Sequence, residues 1–195
     1  MTKDESLIEA IARQENSALA ILYERYSKKV YNTAISYLQN AEDAEEVTQD
    51  VFTTIYQKAS KYRGEAKVST WIYRVTVNKS LDMIRRKNSE KRKGFFVSLY
   101  KKDSGDLAYD QSTFDHPGVK LEHKENAQQL FKVINELPDK QKSVFILTQV
   151  EGLPQVEVAE ILNTTRKAVE SVLARAKQNL RKKLEKYYPN RGDNN

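Results

Sequence analysis

The sequence predicts an all-α protein of two small helical domains joined by a flexible linker, and three observations carry that reading. Apolar residues recur at three- and four-residue steps through most of the 195 residues, the period of amphipathic helices. That period lapses between about Gly94 and Lys124, where Gly94, Gly105, Gly118 and Pro117 interrupt it and Asp103, Asp106, Asp110 and Asp115 accumulate, as in a linker. Charge, finally, is divided by segment. Residues 61–93 carry eleven Lys/Arg against three Asp/Glu and residues 166–195 nine against three, whereas 1–60 carry six against ten and 125–165 three against six. Two basic surfaces alternating with acidic ones, on a chain of net charge +6, point to two separate nucleic-acid contacts and a surface kept for something else.

Composition bounds the rest. With 39% apolar and 31% charged residues the chain can bury a core, and with no cysteine it has neither disulfides nor thiolate metal sites, which fits a reducing compartment. The opening MTKDESLIEA is acidic where a secretory signal would be basic, and no apolar run approaches the ~18 residues of a membrane span, so a cytoplasmic protein without membrane insertion is expected.

Residues 5–39 read as two helices. Leu7, Ile8 and Ile11 begin the first, and Leu19, Leu22, Tyr23, Tyr26, Val30, Ala34 and Leu38 form the stripe of the second, which Asn40 is expected to close. The tyrosines read as core. In the next helix Ala44, Val47, Val51 and Ile55 turn inward and leave Glu45, Glu46, Gln49, Asp50, Thr53 and Gln57 outward, an acidic, amide-rich face suited to a basic protein partner rather than to DNA.

Gly64 breaks the pattern, and a loop from Tyr62 to Ser69 leads into a basic helix over Val68–Lys87. Trp71, Arg74, Asn78, Asp82 and Arg85 share one side of it, while Ile72, Tyr73, Thr76, Ser80, Met83 and Ile84 share the other. The first side offers cations for phosphates, an amide for a base edge and an aromatic face for stacking, a set suited to single-stranded DNA.

A second helical module begins at Glu125, with a stripe of Leu130, Val133, Ile134 and Leu137 and a break at Pro138, which suits a helix's first turn. After DKQKSVFILTQV and Gly152 come LPQVEVAEIL, the turn NTT and RKAVESVLARAKQNLRKKLEKYY. A short helix, a three-residue turn and a longer basic helix are the grammar of helix-turn-helix DNA binding. Asn163 can take the left-handed turn conformation and Thr165 can cap the second helix. Opposite Val169 lie Lys167, Glu170, Ser171, Ala174, Arg175 and Gln178, of which Arg175 can reach guanine or phosphate, Gln178 adenine and Glu170 cytosine.

Together these blocks resemble bacterial RNA polymerase sigma factors of the extracytoplasmic-function class. AEDAEEVTQDVFTTIYQKASKYRGEAKVSTWIYRVTVNKSLDMIRR is similar to sigma domain 2, and LPDKQKSVFILTQVEGLPQVEVAEILNTTRKAVESVLARAKQNLRKKL to sigma domain 4. The resemblance implies domain 2 over 1–93, a linker over 94–124, domain 4 over 125–188 and a tail over 189–195. It implies that Glu45, Glu46, Gln49, Asp50 and Thr53 dock on the clamp coiled coil of the polymerase largest subunit. Tyr62, Arg63, Trp71, Arg74, Asn78, Arg85 and Arg86 would take up the minus-ten element, with Tyr62 and Asn78 at the pocket for a flipped base. Arg166, Lys167, Glu170, Ser171, Ala174, Arg175 and Gln178 would enter the major groove of the minus-thirty-five element while the domain rests on the flap of the second-largest subunit. An anti-sigma factor is a further partner of such proteins, and no cofactor is expected. The chain departs from the family pattern at Glu170 and Val172, where relatives carry cations, at Pro154 in place of Ser, and at Asn163 in place of Gly.

A regulator that binds duplex DNA alone would explain the C-terminal module and leave the acidic helix and the first basic block idle. An enzyme is disfavoured: His116 and His123, the only histidines, lie in the expected linker, no Gly-rich phosphate loop is present, and the carboxylates sit on solvated faces.

Overall fold

A computed structural model of the chain describes residues 2–100 and 124–186. In order they form α1 (Lys3–Ala12), α2 (Asn16–Leu38), α3 (Ala41–Lys58), a 3-10 turn (Ala59–Lys61), α4 (Val68–Tyr100), α5 (Lys124–Asn135), α6 (Asp139–Phe145), a π-helical turn (Ile146–Val150), α7 (Gln155–Ile161) and α8 (Arg166–Leu184), with no strand among the described residues. The all-α expectation therefore holds. Most of the expected linker, both histidines and the 189–195 tail lie outside the described residues.

Local chemistry sets the helix ends. Thr2 and Glu5 close a reciprocal capping box on α1. The helix is then tied to α2, because Asp4 accepts from the Tyr26 hydroxyl at 2.5 Å and pairs with Arg25. Gln39, left-handed at φ 53°, ends α2, and Asn40 instead starts α3 by accepting from the Asp43 N–H. The expected stop at Asn40 is thus one residue late. Past Lys87 the helix α4 continues through Gly94 to Tyr100, where a linker was expected. A single glycine costs a helix only about 1 kcal/mol, less than its neighbours' hydrogen bonds restore.

Helices α2, α3 and α4 pack around Leu22, Val30, Ile35, Val47, Val51, Ile55 and Ile72. Their seams use small hydroxyl residues. Thr33, Thr48 and Thr76 each return a hydrogen bond to the carbonyl four residues back, so the backbones approach closely without orphaned donors. Of the two tyrosines in the predicted stripe, Tyr26 is buried as expected, but Tyr23 is 46% exposed and leans on Phe52 with ring centroids 4.7 Å apart; Tyr37, outside that stripe, is wholly buried. The place of Tyr23 at the margin of the stripe turns it outward.

The second unit folds α5 to α8 around Phe131, Ile134, Leu147, Val158, Val169 and Leu173. The two units meet along a seam. Tyr37 is wholly buried there with its hydroxyl beside Ser143, and the Gln39 side chain donates to the Phe131 carbonyl at 2.5 Å. Glu151, at the end of the π-helical turn, lies against Thr33 and Lys29 of α2, and its charge reaches Tyr37 and Tyr73.

Burial pushes the Glu151 carboxyl up to about 7, against the smaller opposing pull of Thr33 and Lys29. The folded protein therefore holds this proton to a higher pH than the unfolded chain does. Stability falls as pH climbs from the ordinary carboxylate range to about 7 and levels off above it. Between about pH 5 and about pH 8, urea unfolding of Glu151→Gln is expected to lose on the order of 2–3 kcal/mol less than wild type; equal losses would refute this burial.

Candidate nucleic-acid interface

The first basic surface is built by the loop after the 3-10 turn and by α4. Gly64, at φ 71°, supplies the left-handed bend of that loop, and the Tyr62 hydroxyl bridges it by donating to the Ala66 carbonyl at 2.5 Å. This holds the Tyr62 ring against Trp71, with centroids 5.2 Å apart and planes tilted by 31°. The half-buried pair forms an apolar shelf at the start of α4, and burial raises the Tyr62 phenol above its ordinary range. Arg63 is exposed beside it.

Further along, α4 buries Ile72, Thr76, Val77, Ser80, Leu81 and Met83. Asn78 is exposed at the mouth of an open cleft of about 610 Å3 that Arg74 and Arg85 also line, together with Ile161 and Val172 of the second unit. Of the expected cations, Arg74 is turned onto that unit, donating from Nη2 to the Glu160 carbonyl at 2.7 Å and from Nε to that of Ile161 at 3.2 Å. Arg85 lies between Asp82 and Asp139, at 2.9 and 3.3 Å. Arg86 leaves this side altogether and pairs with Glu46 of α3 at 2.9 Å. The structure thus gathers Tyr62, Trp71, Arg74, Asn78 and Arg85 along one side of α4 and its entry loop, and sends Arg86 to another.

The acidic face keeps all six of its expected outward residues exposed: Glu45, Glu46, Gln49, Asp50, Thr53 and Gln57. Two of them already meet α4 cations, Glu46 with Arg86 and Asp50 with Lys79 at 3.2 Å. Both pairs lie in solvent, so they stabilise the fold little and remain exchangeable with a partner's charges.

The second basic surface is the helix-turn-helix of α7 and α8. Asn163 takes the left-handed conformation at φ 50°, and the Thr165 hydroxyl accepts from the Ala168 N–H at 3.2 Å, so the turn and the cap are formed as the sequence predicts. With Val169, Leu173, Ala176 and Leu180 buried, α8 leaves Arg166, Lys167, Glu170, Ser171, Ala174, Arg175 and Gln178 in one exposed row. Arg166 pairs with Glu170 at 3.1 Å and Arg175 donates to the Ser171 hydroxyl at 3.3 Å, contacts that pre-extend both guanidinium groups along the helix. Sequence reasoning passed over Glu151 and the α7 carbonyls, which meet the first unit, and Gln39, which meets the second; the one trace was a lone acid before Gly152 in an apolar stretch. Among the described residues no cluster of three or more His or acidic side chains could hold a metal ion, and no helix is long and apolar enough to cross a membrane.

Comparison with known proteins places each unit. Residues 22–90 match the Sigma-70 region 2 family and residues 127–180 the Sigma-70 region 4 family. The chain is 28% identical to the ECF RNA polymerase sigma factor SigW of Bacillus subtilis over 91% of its own length and 94% of the relative's. With the ECF RNA polymerase sigma-E factor of Haemophilus influenzae it shares 26% identity, over 93% and 95% of the two chains. The solved structure of CnrH in complex with the cytosolic domain of CnrY has the same fold, with a TM-score of 0.66 at 20% identity over 93% and 97% of the two chains. The sigma factor RpoE of Bartonella quintana, in complex with the anti-sigma factor NepR, superposes with a TM-score of 0.58 at 17% identity, over 85% and 96%.

Because Thr165 supplies the only side-chain cap at the start of α8, Thr165→Ala is expected to cost about 1 kcal/mol in chemical denaturation, with Thr165→Ser close to wild type. An unmoved midpoint in the alanine variant would show the cap to be idle.

Proposed function

We infer that this chain, which belongs to the extracytoplasmic-function class of RNA polymerase sigma-70 factors, is a transcription initiation factor: it joins core polymerase, directs it to promoters and helps melt them. The observation that carries this reading is a pair of distinct DNA-facing surfaces in one chain, matched in order by region 2 and region 4. One is an aromatic and amide side suited to unpaired bases, the other an exposed polar row suited to a duplex groove. A stand-alone duplex-binding regulator would need only the second.

Each surface is then given a partner. Residues 1–93 form the core-binding and minus-ten domain, 125–188 the minus-thirty-five domain, with 94–124 as linker and 189–195 as tail. Asn78 reads a base released from the duplex, Tyr62 and Trp71 offer it a stacking shelf, and Arg63, Arg74 and Arg85 accompany the phosphates. Arg86 joins them only by leaving Glu46. In the groove, Arg175 and Gln178 make the base contacts and Arg166 and Lys167 the backbone contacts, with Glu170, Ser171 and Ala174 completing the row. Glu45, Glu46, Gln49, Asp50 and Thr53 meet the clamp coiled coil of the largest subunit, and the second unit meets the flap of the second-largest. An anti-sigma factor completes the set of partners. The factor works in the cytoplasm, where polymerase is, and supplies address and strand opening while the polymerase does the chemistry.

Run-off transcription with core polymerase tests the reading: the chain should confer start-site choice that core alone lacks, and a chain that shifts duplex DNA without doing so would belong to the regulator class. Asn78→Ala is expected to lower permanganate reactivity of the melted bases while core binding persists. Glu45→Lys with Gln49→Lys, which spares the Glu46–Arg86 and Asp50–Lys79 pairs, is expected to weaken co-elution with core polymerase; undiminished co-elution would remove this face from the docking surface.

A further inference from the structure

We propose that the second unit grips promoter duplex at a further point outside the α8 row: Lys140, in the first turn of α6, takes a backbone phosphate at the groove edge on the Arg175 side of α8. This rests on the groove assignment of α8 inferred above. Lys140 is exposed, and among the described residues no carboxylate holds its ammonium. Its neighbour Asp139 is turned away to Arg85 of α4, at 3.3 Å. By contrast Arg166, in the row itself, is already paired with Glu170.

The fold fixes where this cation stands. Lys140 lines the cleft that reaches Asn163, Thr164 and Ala168, the turn and the first residues of α8, and it also lines a smaller hollow bounded by Val172 and Arg175. Steps of four and three residues keep Ala168, Val172 and Arg175 on one flank of α8. Lys140 therefore stands beside that flank along the first turns of the helix. The start of α6 is not free to swing away from it. Leu137 and Val144 are buried on either side, and the Gln141 amide oxygen accepts from the Asn179 side chain of α8 at 2.8 Å.

The dimensions of duplex DNA turn this placement into a contact. A major groove about 12 Å wide is filled by one helix with its side chains, about 10–12 Å across. A cation carried beside such a helix meets the wall of the groove, which is a line of phosphates, rather than the base edges. Lysine suits that wall, because a compact ammonium on a flexible stem takes a phosphate as a point charge and reads no base. Held by α6 rather than by α8, the contact sets how far the reading helix can roll in the groove and leaves base choice to the row.

The test uses the full chain on core polymerase and the promoter duplex that run-off transcription identifies, in the cold so that the duplex stays closed. Lys140→Ala is expected to lower affinity for this duplex, and for one with a single base change in its minus-thirty-five element, by one common factor on the order of tenfold at 0.1 M salt. The dependence of log K on log salt should become shallower by about 0.9, the counterions of one phosphate. Lys140→Arg should restore both. Ethylation of a phosphate beside the minus-thirty-five element should hinder wild type but not Lys140→Ala. Arg175→Ala gives the contrast, losing the preference between the two duplexes. An unchanged salt dependence in Lys140→Ala overturns the proposal. Unequal losses on the two duplexes overturn it as well, since Lys140 would then read a base, and so does weakened binding to core polymerase, which would set Lys140 against a protein partner. Failure of the groove assignment has another signature: Arg175→Ala leaves the preference intact whatever Lys140→Ala does, and the phosphate contact falls with it.

Discussion

The packing of α4 against α2 and α3 decides what the remainder of the molecule can do. Once Ile72, Thr76, Val77, Ser80 and Met83 are buried, the helix has no rotational freedom left, and every cation on it acquires a fixed direction. Arg74, Asn78 and Arg85 face the second unit, while Lys79 and Arg86 lean back over α3. A basic helix free to roll would present one averaged field of positive charge. This one presents two sides with different chemistry, which allows one side to be reserved for DNA while the other offsets the acid of its neighbour.

That division bears on how the acidic face of α3 meets another protein. Its carboxylates are exposed yet partly neutralised from within, through pairs of modest strength in high dielectric. Were a basic partner to dock there, as proposed, it would exchange one set of weak ion pairs for another, so the docking energy would come from the summed surface and from packing. The same holds on α8, where Arg166 and Arg175 lie along the helix against Glu170 and Ser171 in contacts that a stronger, charged acceptor can displace.

At the seam between the units the balance differs. Tyr37 is wholly buried and Glu151 half-buried, and that burial pushes the Glu151 carboxyl up from its ordinary range. The two basic surfaces thus differ in access: the α8 row is exposed, while Arg74 and Arg85 of α4 are engaged by the second unit.

Helix positions, the cap at Thr165, the left-handed turn at Asn163 and the segregation of charge were all determined by the sequence alone, because each depends on residues within about four positions of one another. Tyr23 and Gly94 mark the edge of that legibility. A residue at the margin of an apolar stripe, or a lone glycine in a long helix, is decided by small energies that a local pattern does not resolve. Only the tertiary structure decided that Arg86 turns to Glu46, that Arg74 meets the end of α7 and that Glu151 lies half-buried against α2. Their partners lie 40, 86 and more than 100 residues away in the chain. A long, flexible side chain carries no periodic signal of which distant acceptor it will find; that choice exists only once the helices have packed.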